Sequence, residues 1–268
     1  MKFTLPKNYL SPSQINMWLR CGQQYSFRYV DGKKCPPAVA MEEGSTYHAT
    51  LELNNNHKIK QHEDLNVKRL FVKFADTFSD RKKNIKDWEE ETPDTIIKRG
   101  KMLLPMYLKR FAPFYQPKTT ERLFVLQLGT IPIHCVLDTT GRLHLPQMVN
   151  PKSSVVDYKT VGKRQSQATL DSDIQLSAYG MVAKSELQME NPEVGFCDLI
   201  KTKIPQVSYL SSPITSERLR WFKKIAFNVA EMISKGCFPL AKPDSWCCSN
   251  RFCGFWNECR GKTQRRKK

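Results

Sequence analysis

The sequence has no long apolar run. No stretch approaches the ~20 consecutive apolar residues that a membrane-crossing helix needs. The opening, Met1-Lys2-Phe3-Thr4-Leu5-Pro6, lacks the apolar core of a secretory leader, which sets the expectation of a cytoplasmic protein without a membrane partner. Acidic residues are few, 26 against 43 Lys+Arg, so the formal charge is +17. That imbalance points to a polyanion partner, most simply nucleic acid. The 12 Gly and 16 Pro follow no triplet period, which excludes a collagen-like chain, and no internal repeat is found. The nine cysteines are an odd number in a chain too long to need disulfide staples, and no Cys-x-x-Cys knuckle occurs among them. A reduced compartment, with metal binding for some of the thiols, follows as the expectation. What is present is a 268-residue chain that is 40% hydrophobic, enough to build a large core and to exclude a disordered protein.

Ser11-Pro12-Ser13-Gln14 reads as a helix start, with serine as cap, proline in the first turn and glutamine where a capping box closes. A second helix is expected over about Glu42 to Asn54, and a polar helical region over about Asp64 to Phe114, interrupted around Pro93 and Pro105. The texture changes at Arg122. Leu123 to Leu128 and Ile131 to Leu137 read as strands joined at Gly129-Thr130, and Ser154 to Thr160 reads as a third. A helix over Asp171 to Leu187, capped by Asp171 or Ser172, is followed by strands at Val194 to Lys201 and Gln206 to Leu210 and a helix over Ser216 to Lys235. This order predicts an α/β domain with a helical insertion and a Cys-rich C-terminal segment.

Phosphodiester cleavage needs a metal clamp, a positioned water and stabilisation of the charge that builds on phosphorus. Carboxylates from neighbouring strands can hold the metal, and a lysine beside them can serve the water. An Asp-x-Lys triplet on a strand supplies both parts on one face, because residues two apart point the same way. Of the three triplets, Asp31-Gly32-Lys33 lies in a turn and Asp80-Arg81-Lys82 in a polar, helical stretch. Only Asp157-Tyr158-Lys159 follows a β-branched pair, Val155-Val156, as a buried strand requires. Asp138 closes the preceding strand, Gln175 and Tyr179 stand four apart on the next helix, and Gly44 precedes His48 by four. Singly, each has an ordinary structural explanation: a salt bridge, a core histidine, a cap partner or a core aromatic.

Together, in this order, Gly-x-x-x-His, a strand-ending Asp, Asp-x-Lys-Thr and Gln-x-x-x-Tyr resemble the RecB-like branch of the PD-(D/E)XK nuclease superfamily. The resemblance includes Tyr9-Leu10-Ser11-Pro12-Ser13-Gln14 and Cys21-x-x-x-Tyr25 with Phe27-Arg28-Tyr29. It implies a restriction-endonuclease-like mixed central sheet flanked by helices, in a nuclease domain over 1–259 with the helical insertion at about 57–118. It implies His48, Asp138, Asp157 and the backbone carbonyl of Tyr158 as metal ligands, and Lys159 as the residue that positions the attacking water. Gln175 and Tyr179 match residues that orient the lysine or contact the phosphate backbone. A mixed imidazole and carboxylate set suits Mg²⁺ or Mn²⁺. One place departs from the family pattern: Cys135 stands where a glycine is usual, three residues before Asp138, and Glu121 is left outside the site.

The C-terminal group reads Trp246-Cys247-Cys248-x4-Cys253-x5-Cys259. Closely spaced thiolates need a cation, and zinc or an iron–sulfur cluster would each take a fourth thiolate. One distant cysteine with a C-terminal trio resembles the iron–sulfur staple of some RecB-like nucleases, which implies a 4Fe–4S cluster on Cys21, Cys248, Cys253 and Cys259. Cys247 in place of Cys248, Cys35 in place of Cys21, zinc in place of the cluster, and no metal at all remain open. Cys135, Cys197 and Cys237 are expected to be buried and inert, and Trp246, Phe252, Phe255 and Trp256 to pack around the cluster more than to stack on bases. The basic tail from Arg260 to Lys268 would add affinity for DNA without sequence choice.

The resemblance therefore implies a metal-dependent DNA nuclease, by preference an exonuclease on single strands or duplex ends. Its setting would be recombination, repair, or mobile-element and CRISPR DNA processing in a prokaryotic cell or phage-infected host, with room for a helicase or recombination partner. The alternatives are a non-catalytic nucleic-acid-binding protein that keeps the fold, and a zinc-stabilised endonuclease.

Overall fold

The structure is a computed structural model that describes residues 3–261; the part of the basic tail after Gly261 lies outside the described residues. Its helices and strands follow in the order α1 (Pro12–Arg20), α2 (Gly22–Tyr25), α3 (Val39–Gln61), α4 (Val67–Arg81), α5 (Pro93–Arg110), β1 (Tyr115–Leu128), β2 (Ile131–Leu143), β3 (Lys152–Val161), α6 (Gln167–Ser172), α7 (Ile174–Ser185), β4 (Glu193–Ile200), β5 (Gln206–Pro213) and α8 (Ser216–Ser234). The strands form one five-stranded sheet in sequential order, with β2–β3 antiparallel, β3–β4 parallel and β4–β5 antiparallel. The expected mixed sheet flanked by helices is thus borne out. Among the described residues no helix is long and apolar enough to cross a membrane.

Contacts gather the chain into two compact units: Met1–Pro36, Val125–Cys135 and Arg220–Lys268 form one, and Pro37–Phe124 and Val136–Leu219 the other. In the first, the early and late segments of the chain pack on each other. Leu10 bridges to Ile133, the Trp18 indole donates to the Cys237 carbonyl at 3.1 Å, and Tyr25 stacks on Phe238. Gly22 lies so close to Pro239 that a Cβ there would meet its ring at 2.6 Å. In the second, Val156 and Tyr158 of β3 and Cys197 and Leu199 of β4 face a core built with Tyr47 and Leu51 of α3, Phe74 of α4 and Leu103 of α5. Strand alternation then turns Asp157 and Lys159 to the opposite face, where α7 contacts β3 and β4.

Several local expectations are corrected. Ser11 caps α1 through the Gln14 amide, but the Gln14 side chain is buried and accepts from the Tyr25 hydroxyl at 3.3 Å, so the capping box does not close. Helix α3 exceeds its expected span at both ends. Pro93 starts α5 behind a Thr92–Thr95 capping box, whereas Pro105 sits inside the helix without ending it, between buried Leu103, Leu104 and Tyr107 that hold the backbone in place. Strand β1 begins at Tyr115 rather than Leu123, through a polar stretch with no apolar alternation. The helix expected over Asp171 to Leu187 is two helices, broken at Asp173, whose extended backbone and side-chain bond to the Leu176 amide cap α7 in place of Asp171 or Ser172. Cys135 and Cys197 are fully buried, but Cys237 is exposed.

Candidate active site

The β2–β3 register pairs Thr139 with Val156, so Asp138 and Asp157 are the next residues along the two strands. Asp138 reaches across, its Oδ2 accepting from the Tyr158 amide at 2.8 Å. From α3, His48 brings Nδ1 to 3.4 Å from that same oxygen and to 3.5 Å from Glu121 Oε1, while Nε2 lies 2.9 Å from the Tyr158 carbonyl. Among the described residues, His48, Glu121 and Asp138 form a group whose ligand atoms all lie within 4.8 Å of one another. Neighbouring ligands at right angles around an ion, with bonds of about 2.1–2.5 Å, stand about 3.0–3.5 Å apart, and the His48 distances fall there.

Asp157 is wholly buried. One of its oxygens pairs with Lys159 Nζ at 2.6 Å and the other, Oδ1, has no hydrogen-bond donor. A buried carboxylate oxygen without a donor is costly unless a cation completes it, and the imidazole and carboxylates beside it are the donor set of a divalent ion. The residues present therefore fit a metal. Lys159 donates to Gln175 Oε1 at 3.1 Å, Gln175 donates to the Tyr179 hydroxyl at 2.6 Å, and that hydroxyl donates to the Val136 carbonyl. The relay runs along one face of α7, because its two members stand four residues apart.

The charges bias the site in one direction. Burial, followed by the charge of Asp157, pushes Asp138 up to about 7. Burial also pulls the His48 imidazolium down, but its bond to Glu121 and the charges of Asp138 and Asp157 outweigh it and lift it to about 9. Burial likewise opposes the Lys159 ammonium, and Asp157 beside it more than offsets this, so Lys159 stays above its ordinary value. Without a cation the site holds protons that a metal would displace. The site opens onto a cleft of about 660 Å³, floored along α3 by Ala40, Gly44, Ser45 and Ala49, whose small side chains leave His48 open to an incoming group.

The structure groups His48 and Asp138 with Glu121, which the sequence reading left outside, and leaves Asp157 out of that ligand group, paired with Lys159, which continues to Gln175 and Tyr179. Glu121 sits in β1 with φ +45°, a left-handed conformation in the middle of a strand. Its one sequence signal was its place just before the apolar alternation that begins at Leu123.

The cysteines expected to hold a cluster lie in the other unit. Cys21, Cys248, Cys253 and Cys259 line one pocket with Gln24 and Trp256. Burial, reinforced by the neighbouring thiols of Cys21 and Cys248, pushes Cys253 and Cys259 up. Cys247 lines the pocket too, but its sulfur bonds the Arg20 carbonyl and Ser245. Cys35 packs on Gly254, where an added Cβ would meet its sulfur at 2.8 Å. The pocket is thus lined by five thiols, soft donors of the kind that hold zinc or an iron–sulfur cluster.

The sequence model of the PD-(D/E)XK nuclease superfamily matches residues 9–260. The chain belongs to the PD-(D/E)XK nuclease superfamily. Membership makes it a metal-dependent nuclease by class, in keeping with the His48, Glu121 and Asp138 group. Its fold is similar to the crystal structure of a "Putative exonuclease" from Eubacterium rectale, with a TM-score of 0.56 and 13% identity over 90% of this chain and 87% of that one. At that identity the likeness speaks for the superfamily fold alone. Comparison with curated proteins gives no match.

Proposed function

We propose that the chain is a Mg²⁺- or Mn²⁺-dependent deoxyribonuclease of the RecB-like branch, acting as an exonuclease on DNA ends or single strands. The observation that carries the reading is the buried Asp157, paired with Lys159 on one oxygen and without a donor on the other, whose charge acts on His48 and Asp138 of the His48, Glu121 and Asp138 group. His48, Glu121, Asp138 and Asp157 would hold the ion, with the Tyr158 carbonyl as a further oxygen. A divalent ion bound there supplies Lewis-acid polarisation of the scissile phosphate and lowers the pKa of the attacking water. Lys159 orients that water and meets the charge that develops on the phosphoryl oxygens. Gln175 fixes the ammonium, and Tyr179 fixes Gln175. The formal charge of +17 favours a polyanionic substrate, and the family match over 9–260 supports treating 1–259 as one nuclease domain. The process served is read as recombination, repair or the handling of mobile-element and CRISPR DNA.

On the second metal, the pocket of Cys21, Cys248, Cys253 and Cys259 supports a structural 4Fe–4S cluster. Tetrahedral zinc on the same thiols is the alternative.

The test of the nuclease reading is an assay with Mn²⁺ on end-labelled linear single strands, linear duplexes and covalently closed circles. Progressive loss of the linear substrates with the circles spared is the expected result. Cutting of circles contradicts the exonuclease mode, and absence of any cleavage contradicts the reading as a whole.

A further inference from the structure

Two aromatic rings of the Cys-rich segment stand in water. Trp246 is 64% exposed and Phe252 54%, although packing around a metal centre would have covered them. Their neighbour Phe255 does pack inward, 5.4 Å from Phe27. The exposed pair meet edge to face at 5.5 Å and 79° and form a small ledge. Cations flank it: the Arg20 guanidinium lies 6.0 Å from the Trp246 ring centre and the Arg251 guanidinium 5.4 Å from that of Phe252. A groove lined by Leu19, Arg20, Leu240 and Lys242 ends at Ser245, next to Trp246, and two of its walls, Leu19 and Leu240, are themselves 47% and 61% exposed. Asp244 is the single acidic residue from Pro239 to Trp256.

We propose that this ledge binds unpaired nucleobases of single-stranded DNA, with Trp246 and Phe252 as stacking surfaces and Arg20, Lys242 and Arg251 as contacts for the phosphates between them. Flat apolar rings held among guanidinium and ammonium groups match a ligand that alternates π-faces with negative charges. A duplex hides its base faces inside the stack and offers no such match, and an acidic protein surface would answer the cations but not the rings. The inference rests on the DNA reading above and sharpens it, because it selects strands with free bases.

Binding is measured by fluorescence anisotropy in EDTA, so that nothing is cleaved, with a labelled oligo-dT and with an abasic strand of the same length. W246A and F252A are each expected to weaken oligo-dT binding by about tenfold and to leave binding to the abasic strand unchanged. W246F is expected to restore most of the loss. Oligo-dT affinity unchanged in both variants overturns the proposal. So does an equal loss on both strands, which would mean a charge or folding effect, and so does a wild-type protein that binds the two strands alike. Cleavage is a separate readout. A chain that cuts DNA while W246A binds as wild type loses the ledge and keeps its active site, and a chain that cuts nothing while the ledge behaves as expected loses only the nuclease reading.

Discussion

Glu121 holds a backbone angle of φ +45° inside a strand, and its carboxylate ends 3.5 Å from His48 Nδ1. Backbone strain of this sort persists where the surroundings fix it, and such places gather at functional sites. Replacement of this carboxylate by an amide, E121Q, is expected to lower Mn²⁺ affinity about tenfold or more, measured by calorimetric titration, with the fold unchanged. In the sequence the residue shows only as a further acidic group at the start of the first strand, because Tyr115 to Arg122 carries no apolar alternation that would fix which way its side chain faces. His48, Asp138, Asp157, Lys159, Gln175 and Tyr179 were legible because their order and spacing together are rarer than any one of them. The site also fixes a pH dependence. Asp138 at about 7 and His48 at about 9 both hold protons more tightly than in an unfolded chain. Their contribution to stability without metal is therefore full at low pH and lost as pH rises through those values. A metal competes for the same atoms, so Mn²⁺ affinity should climb across that window and level off above it, with protons released on binding. Titrations in buffers of different ionisation enthalpy count those protons, and a flat profile would show that His48 and Asp138 do not hold the ion.

Among the elements, α7 does most to place the lysine, because its first turn carries Gln175. The break that starts it was missed in the sequence because Asp171, Ser172 and Asp173 are all acceptable caps, and local chemistry alone does not choose among them. Packing chooses: Arg218 donates to Ser177 Oγ at 2.9 Å and to the Leu170 carbonyl at 2.7 Å, bracing the chain on both sides of Asp173. D173A should cost about 1 kcal/mol in urea denaturation and reduce cleavage by loosening Gln175, whereas D171A should do neither. The same logic explains Pro105, which sequence rules treat as a breaker. Buried neighbours on both sides keep α5 continuous, so tertiary packing overrides the local penalty.

At the scale of the whole molecule, the α/β class and its five strands were legible from the change of texture near Arg122, although the sheet begins earlier, at Tyr115, and its mixed order came from the resemblance. The gathering of Cys21 with Cys248, Cys253 and Cys259 was suggested by resemblance, and it depends on long-range packing that no local pattern contains. A cluster there closes a loop between the two ends of the chain, so its removal should lower stability by about 4–5 kcal/mol in the chain-entropy picture. Anaerobically purified protein should be brown, with stoichiometric iron and sulfide, and should unfold at lower urea after chelation. A colourless protein with zinc would contradict the cluster. The central claim is that one divalent ion, gathered by His48, Glu121, Asp138 and Asp157 beside Lys159, drives phosphodiester hydrolysis. Mn²⁺ binding and DNA cleavage measured side by side on wild type, D138A and K159A test it most directly. D138A is expected to lose both, and K159A to keep the ion while cleavage falls by about a hundredfold or more; cleavage by K159A at the wild-type rate, or Mn²⁺ held equally well by D138A, would overturn this assignment.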